Sequence, residues 1–330
     1  MFAVVLFVAF LLSIYLILRG SDWITDSSVH VAKHLGTSNL AVGLLVISFL
    51  LSLPELVIAV SSILKGHAAL GFGASIGSVI VNIGLIVGIS ALIRPMRVPR
   101  IMVTRDMIFM VVVSIIVVAM GFEDRMLSRT DGFVFLLLFL PYVINVYEQE
   151  RNLTHSERIM KTEKMTEALE MYGEYEVDHK PKYGLKYFLL GAFVLILGSE
   201  IFVRVLLELA SFMRLPELLV GVTLGAIGPS IPNLAASLGA ARKGVEELVV
   251  SETIGSNIFT LLITIGVIAV ISPIMVDEMV VMVTAPALLL VTFILLVAML
   301  KGHVRRRDGL LLLLVYVGAV MAEFIFRINH

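Results

Sequence analysis

Apolar runs of about twenty residues recur along the whole chain with few ionisable groups inside them, and each is long enough to cross a hydrocarbon core about 30 Å thick. Ten such runs are predicted, near 2–19, 38–64, 70–93, 103–121, 132–147, 184–206, 216–241, 247–271, 279–300 and 308–326. Backbone inside lipid has to satisfy its own hydrogen bonds, so runs of this length are read as membrane-spanning α-helices. Composition agrees: 59% of the 330 residues are hydrophobic and 15% are charged, against about 25% charged in soluble domains. The expected fold class is an all-α membrane protein of ten transmembrane helices. The first run lacks a basic leader and a small-residue cleavage pattern before Arg19, and is read as a retained helix rather than a signal peptide.

With ten spans the loops alternate between two faces, and the basic residues divide unevenly between them. One face collects 19, including Arg94, Arg97, Arg100, the seven between Arg151 and Lys186, and Arg305 to Arg307; the other holds six. Basic loops favour the cytoplasm. The chain is therefore expected in the plasma (inner) membrane with both termini outside and the polar stretch 148–183 as a cytoplasmic loop. The expected partners are the lipid bilayer and inorganic cations, with no nucleic acid. There are no cysteines, which excludes disulfides, thiolate metal sites and thiol catalysis.

The chain also repeats itself. Adding 178 to positions in the first half carries Gly20-Ser21-Asp22 onto Gly198-Ser199-Glu200, Ser52 and Pro54 onto Ser230 and Pro232, Lys65-Gly66 onto Lys243-Gly244, Gly77-Ser78 onto Gly255-Ser256, and Pro95 onto Pro273. Five spans separate equivalent positions. Because five is odd, the second copy enters the membrane from the opposite face, which makes residues 1–147 and 184–330 two inverted five-helix repeats joined by 148–183. Inverted repeats with interrupted helices are a recurring design of secondary transporters, with the substrate near the midplane.

The second and seventh runs each carry a proline-centred interruption, Ser52-Leu53-Pro54-Glu55 and Pro229-Ser230-Ile231-Pro232-Asn233. Proline lacks an N–H and clashes with the carbonyl one turn back, so both helices are expected to open backbone carbonyls there. Glu55 is the most informative residue. A carboxylate at mid-helix costs roughly 2.5–3.5 kcal/mol on insertion scales and marks an ion or proton path. Ser52 lies three residues before it, on the same helix face. In the third run Ser78 is followed at i+4 by Asn82, and in the eighth Ser256 is followed at i+4 by Thr260. Ser, Thr, Asn and Glu offer oxygen donors, which hard cations prefer.

On these motifs, namely Ser-Leu-Pro-Glu at 52–55, Gly-Ser-Val-Ile-Val-Asn-Ile-Gly at 77–84, Pro-Ser-Ile-Pro-Asn at 229–233 and Gly-Ser-Asn-Ile at 255–258, the chain resembles the cation/calcium antiporter superfamily, nearest to prokaryotic sodium/calcium exchangers. The resemblance covers all ten runs, with motif regions 36–95 and 214–273. It implies a secondary-active antiporter working by alternating access, in which the first and sixth helices slide past the other eight, with Gly20 and Gly198 placed either for that motion or for close packing. It further implies a cation cluster of Glu55, Asn82, Ser52, Ser78, Ser230 and Ser256, completed by carbonyls near Ser48, Leu51, Ala226 and Pro229. The repeat-related Asn233 and Thr260 join this set as neutral oxygen donors. Glu55, Asn82 and Asn233 are the candidate metal ligands.

The departures from the family pattern bear on ion choice. Asn233 stands where the second motif usually has Glu, and Thr260 where exchangers often carry Asp. One carboxylate leaves a divalent ion with net positive charge in a low-dielectric site. The transported cation is thus Na⁺, Ca²⁺ or another cation, and the alternative to sodium/calcium exchange is a monovalent-cation or cation/proton exchanger with weak calcium binding. Glu252 replaces the family's usual Asn one turn before Ser256 and is a candidate for the ion path; a helix-dipole role in the first turn is the competing reading. An enzyme is not expected, and no cofactor. His30, His34, His67, His155, His179, His303 and His330 all fall at predicted interfaces or in loops, which leaves no intramembrane Ser–His pair. Paired helix breaks in inverted repeats suit a carrier better than a channel.

Overall fold

The computed structural model describes residues 2–34, 52–151, 184–243 and 246–329. Ten helices follow one another in it: α1 (Phe2–His34), α2 (Leu53–Leu64), α3 (Ala68–Ile93), α4 (Arg100–Glu123), α5 (Arg129–Arg151), α6 (Leu185–Met213), α7 (217–243), α8 (246–271), α9 (Val280–Leu300) and α10 (Arg306–Asn329). Each predicted run meets one of them. Eight are long and apolar enough to cross a membrane. Of the second run, 38–51 lies outside the described residues. Leu53–Leu64 and Glu217–Ile231 are shorter apolar helices, and α7 itself continues to Lys243.

Boundaries differ from the hydropathy reading most at α1. Apolar composition ends near Arg19, yet the helix runs on to His34, since hydropathy marks the part that meets lipid and not the length over which backbone bonds continue. Likewise α5 extends to Arg151, past the predicted start of the polar loop; residues 152–183 lie outside the described residues.

The core is set by which helices lie inside. In α3 and α8, 78% and 72% of the apolar window is buried, against 22% in α5 and α10. The outer helices turn apolar side chains outward at helical spacing, such as Phe133, Leu137 and Leu140 on α5 and Leu310, Leu314 and Met321 on α10, as lipid-facing surfaces do. The inner helices approach backbone to backbone. A Cβ added at Gly73 would lie 2.6 Å from the Leu218 carbonyl oxygen, one at Gly77 2.5 Å from that of Val222, and one at Gly221 2.5 Å from that of Leu70. Small residues bring α3 and α7 this close where no hydrophobic effect drives helices together.

Contacts in the two halves correspond. Gly20 on α1 meets Leu195 on α6, and Gly198 on α6 meets Ile17 on α1. As the chain advances from Ile17 to Ile24, its neighbour retreats from Gly198 to Gly191, so α1 and α6 run antiparallel. Gly132 on α5 packs against the carbonyl of Gly266 on α8, and Gly309 on α10 against that of Gly88 on α3, each 2.7 Å from the added Cβ. Two short antiparallel bridges link the helix ends: β1 (Met96–Arg97) pairs with β4 (His303–Val304), and β2 (Met126–Leu127) with β3 (Ile274–Met275). Exchanging halves turns one bridge into the other. Its register requires an offset of 178 between Met96 and Ile274 but 177 between Leu127 and Val304, so the first half carries one residue more after β1 than the second half does after β3. The same step relates Val103–Met107 to Val280–Thr284, both of them π-helical.

Candidate functional site

Four helices bring the polar residues together, and each does so through its local sequence. Helix α2 starts at Leu53 with Ser52 as N-cap, Pro54 at its first positions and Glu55 in its first turn. Proline is favoured there because its missing N–H has no partner in a first turn anyway, and a carboxylate is favoured by the positive end of the helix dipole. The Ser52 hydroxyl makes no capping bond within its own helix. It donates instead to Ser256 Oγ on α8 at 3.0 Å. Asn82 Nδ2 on α3 donates to Asn257 Oδ1 on α8 at 3.0 Å, and the Ser78 hydroxyl reaches the Ala226 carbonyl on α7 at 3.5 Å. Thus α2 and α3 both dock on α8, and α3 also on α7.

The seventh helix is built differently from expectation. No gap opens at Pro229-Ser230-Ile231-Pro232-Asn233; the segment is continuous α-helix, Ala226–Lys243. The irregularity lies one turn earlier, in the π-helix Gly221–Gly225. A π turn carries an extra residue and recurs at functional sites; here it sits where the ring of Pro229 would meet a carbonyl four residues back. Lacking N–H groups, Pro229 and Pro232 deprive the carbonyls of Gly225 and Gly228 of their helical donors. Of the expected carbonyls in this helix, that of Ala226 is the one Ser78 reaches. Ser48 and Leu51 lie outside the described residues. Asn82 and Thr260 each sit at the beginning of a π segment, Val81–Val87 in α3 and Thr260–Thr264 in α8.

All the expected side-chain donors are buried. Ser52, Ser78, Ser256 and Thr260 have no exposed surface, Ser230 is 1% exposed, Asn82 and Asn233 2%, and Glu55 4%. Among the described residues no partner is made by either carboxylate oxygen of Glu55, by Asn82 Oδ1, by Ser230 Oγ, by either amide atom of Asn233 or by Thr260 Oγ1. Polar atoms buried without partners each cost on the order of 1–3 kcal/mol, and here they concentrate on α2, α3, α7 and α8. The donors are overwhelmingly oxygen, and no group of three His, Cys, Asp or Glu that could hold a metal occurs among the described residues. Oxygen donors of this kind are the ones that hard cations prefer.

Sequence reasoning missed four members of this polar lining. Asn257 fixes Asn82, and Ser237, Thr253 and Thr264 carry buried unpartnered hydroxyls. The signal was present as spacing: Glu252, Ser256, Thr260 and Thr264 recur every four residues along α8. Glu252 itself is 7% exposed, with Oε1 making no partner among the described residues.

The architecture defines an all-helical membrane protein with a polar, oxygen-rich interior, the class to which ion exchangers belong. The family described as sodium/calcium exchanger protein matches residues 5–147 and 183–324, and the chain belongs to that family. It is 28% identical over 351 residues to the sodium/calcium exchanger MaX1 of Methanosarcina acetivorans, covering 96% of this chain and 98% of that one. It is 29% identical over 263 residues to the inner membrane protein YrbG of Escherichia coli, covering 80% and 79%. Among solved structures it resembles the sodium-calcium exchanger NCX_Mj soaked with Na⁺ and Ca²⁺, with a TM-score of 0.65, 25% identity and coverage of 96% of this chain and 98% of that one.

Proposed function

We propose that the protein is a secondary-active cation antiporter of the sodium/calcium exchanger type, binding its cations at a midplane site between two inverted five-helix repeats, 1–147 and 184–330, and exposing that site to each side in turn. The observation that carries this reading is Glu55: a buried, unpartnered carboxylate at the start of α2, next to the Ser52–Ser256 hydrogen bond. Ser52, Ser78, Asn82, Ser230, Asn233, Ser256 and Thr260 supply further oxygens around it. The antiparallel run of α1 and α6, whose Gly20 and Gly198 are repeat-related, supports inversion, as do the exchangeable contacts of the glycines and bridges. Close backbone contact along α1 and α6, with no bulky side chain at Gly20, Gly191 or Gly198, suits the sliding of these two helices past the rest. In this reading both termini lie outside and 148–183 is cytoplasmic, as the basic residues require.

Na⁺ and Ca²⁺ are the first cations to test. Asn233 and Thr260, standing where acids are usual, favour a second reading of monovalent-cation or cation/proton exchange with weak calcium binding. Reconstitution into liposomes, with fluxes of Ca²⁺, Mg²⁺, Na⁺, K⁺ and H⁺ under imposed gradients, tests both. Saturable flux that needs a counter-ion on the far side is the expected result; flux without a counter-ion would indicate a channel.

A further inference from the structure

We infer that Glu323, held by Thr284 between α9 and α10, is a proton-binding site separate from the polar cluster on α2, α3, α7 and α8, and that it exchanges its proton with the side on which α10 ends. The inference does not depend on where the cation binds.

The first observation is the state of the carboxyl itself. Glu323 is 1% exposed and Thr284 has no exposed surface. The Thr284 hydroxyl donates to Glu323 Oε1 at 3.0 Å, whereas Oε2 is buried with no partner among the described residues. One oxygen is thus fixed as an acceptor and the other is open, as in a carboxylic acid whose carbonyl is held and whose hydroxyl oxygen carries the proton.

The second is the lack of a base on the neighbouring helices. Helix α10 packs on α3 and α9, and neither Ala68–Ile93 nor Val280–Leu300 contains an ionisable side chain. Just before α9, Asp277 Oδ1 accepts from the Val280 N–H and Glu278 is exposed. On α10 itself the groups to consider are Tyr316, two turns back and packed on Gly84 of α3, and Arg327, one turn on. An unpaired ionised carboxylate in low dielectric is costly, and such a group neutralises instead. A proton on Oε2 achieves this without rearrangement.

The first half of the chain shows the other solution. Asp106 is buried in the π-helix Val103–Met107, the counterpart of the segment Val280–Thr284 that ends in Thr284. Arg105 clasps it, Nε to Oδ1 at 2.6 Å and Nη2 to Oδ2 at 2.7 Å. Where that acid has a guanidinium beside it, Glu323 has a hydroxyl. The way in is short: Thr284 lies four residues into α9 and Glu323 six from the end of α10, on the order of 6 and 9 Å along the helix axes.

The test is infrared spectroscopy of the full-length protein in lipid, titrated with pH, for the parent, Glu323→Gln, Thr284→Val, Glu55→Gln and Arg327→Gln. The parent is expected to show the carbonyl stretch of a buried carboxylic acid that is lost in Glu323→Gln, persists in Glu55→Gln and disappears reversibly as pH is raised. Thr284→Val should shift that band to higher wavenumber, because the carbonyl loses its hydrogen bond. Saturating Na⁺ or Ca²⁺ at constant pH should leave it in place. A spectrum unchanged by Glu323→Gln would overturn the inference, as would a band that no pH removes while the protein stays folded. Loss of the band on adding Na⁺ or Ca²⁺ would make the pair a metal-cation site and overturn it too. A parent without the band also overturns it, and a band appearing in Arg327→Gln would then identify Glu323 as an ion-paired carboxylate. Should Glu323→Gln not fold, Thr284→Val carries the test: a shifted band supports the site and an unshifted one overturns it. Because the band is read in Glu55→Gln as well, failure of the cation-site reading leaves this result standing.

Discussion

The hydroxyl of Ser52 donates to that of Ser256 at 3.0 Å, whereas their repeat mates, Ser230 and Ser78, do not meet: Ser78 turns to the Ala226 carbonyl and Ser230 Oγ is unpartnered. Repeat-related residues thus sit in unequal surroundings. Ser256→Ala removes the bond and one oxygen donor. Its expected cost in stability is small, about 1 kcal/mol, while cation flux should fall much further. Thermal unfolding and flux measured on the same preparation check the split; a parallel, small loss of both would make Ser256 a packing residue.

Topology can be read directly because the chain has no cysteine. Single cysteines at Arg97, Ala168 and Arg306 are expected to react with an impermeant reagent only from the cytoplasmic side, and those at Gly66 and Asp124 only from outside. Reaction of positions 97 and 66 from the same side would be incompatible with the repeat orientation.

The close approach of α3 and α7 predicts a steep cost for any added side chain. Gly77→Ala places its Cβ 2.5 Å from a backbone oxygen that cannot rotate away, and is expected to destabilise by roughly 1–3 kcal/mol, as overpacking does. Gly318→Ala on α10 meets nothing within 4 Å and should be neutral or stabilising by up to about 1 kcal/mol, from helix propensity alone. Thermal unfolding of the two variants side by side distinguishes a packed seam from general sensitivity.

Lys65, just past α2, is ion-paired with Glu200 on α6, which also accepts from Arg204 at 2.9 Å and Ser61 at 3.2 Å. This ties a helix proposed to slide to one proposed to stay. The pair is partly exposed, 24% and 31%, so its contribution is about 1 kcal/mol or less. Glu200→Gln is therefore expected to raise labelling of a Ser62→Cys reporter from the Gly66 side by at most about fivefold, the population shift that such an energy allows. A labelling rate unchanged by the substitution would dissociate the ion pair from the motion.

What the sequence could reveal followed from periodicity and burial cost. Ten apolar runs were enough to count the helices, and a carboxylate in an apolar run singles out Glu55, which is buried at the start of α2. Features that depend on how backbones adjust to one another were out of reach. The helix stays continuous through the prolines that were expected to open α7 at 229–233, and its π turn lies one turn earlier, at Gly221–Gly225. Asn257 is one residue off the stripe it serves and declares itself only through its bond to Asn82. The slip from 178 to 177 between β1 and α4 escapes an alignment of isolated motifs and becomes visible in the register of the bridges.

Whether Glu55 holds the transported cation can be tested with a single substitution. Glu55→Gln keeps the shape and burial of the side chain while removing its charge. In proteoliposomes the expected result is a folded, monodisperse protein in which counter-ion-dependent cation flux is abolished. A folded Glu55→Gln protein exchanging cations at the rate of the parent would contradict it.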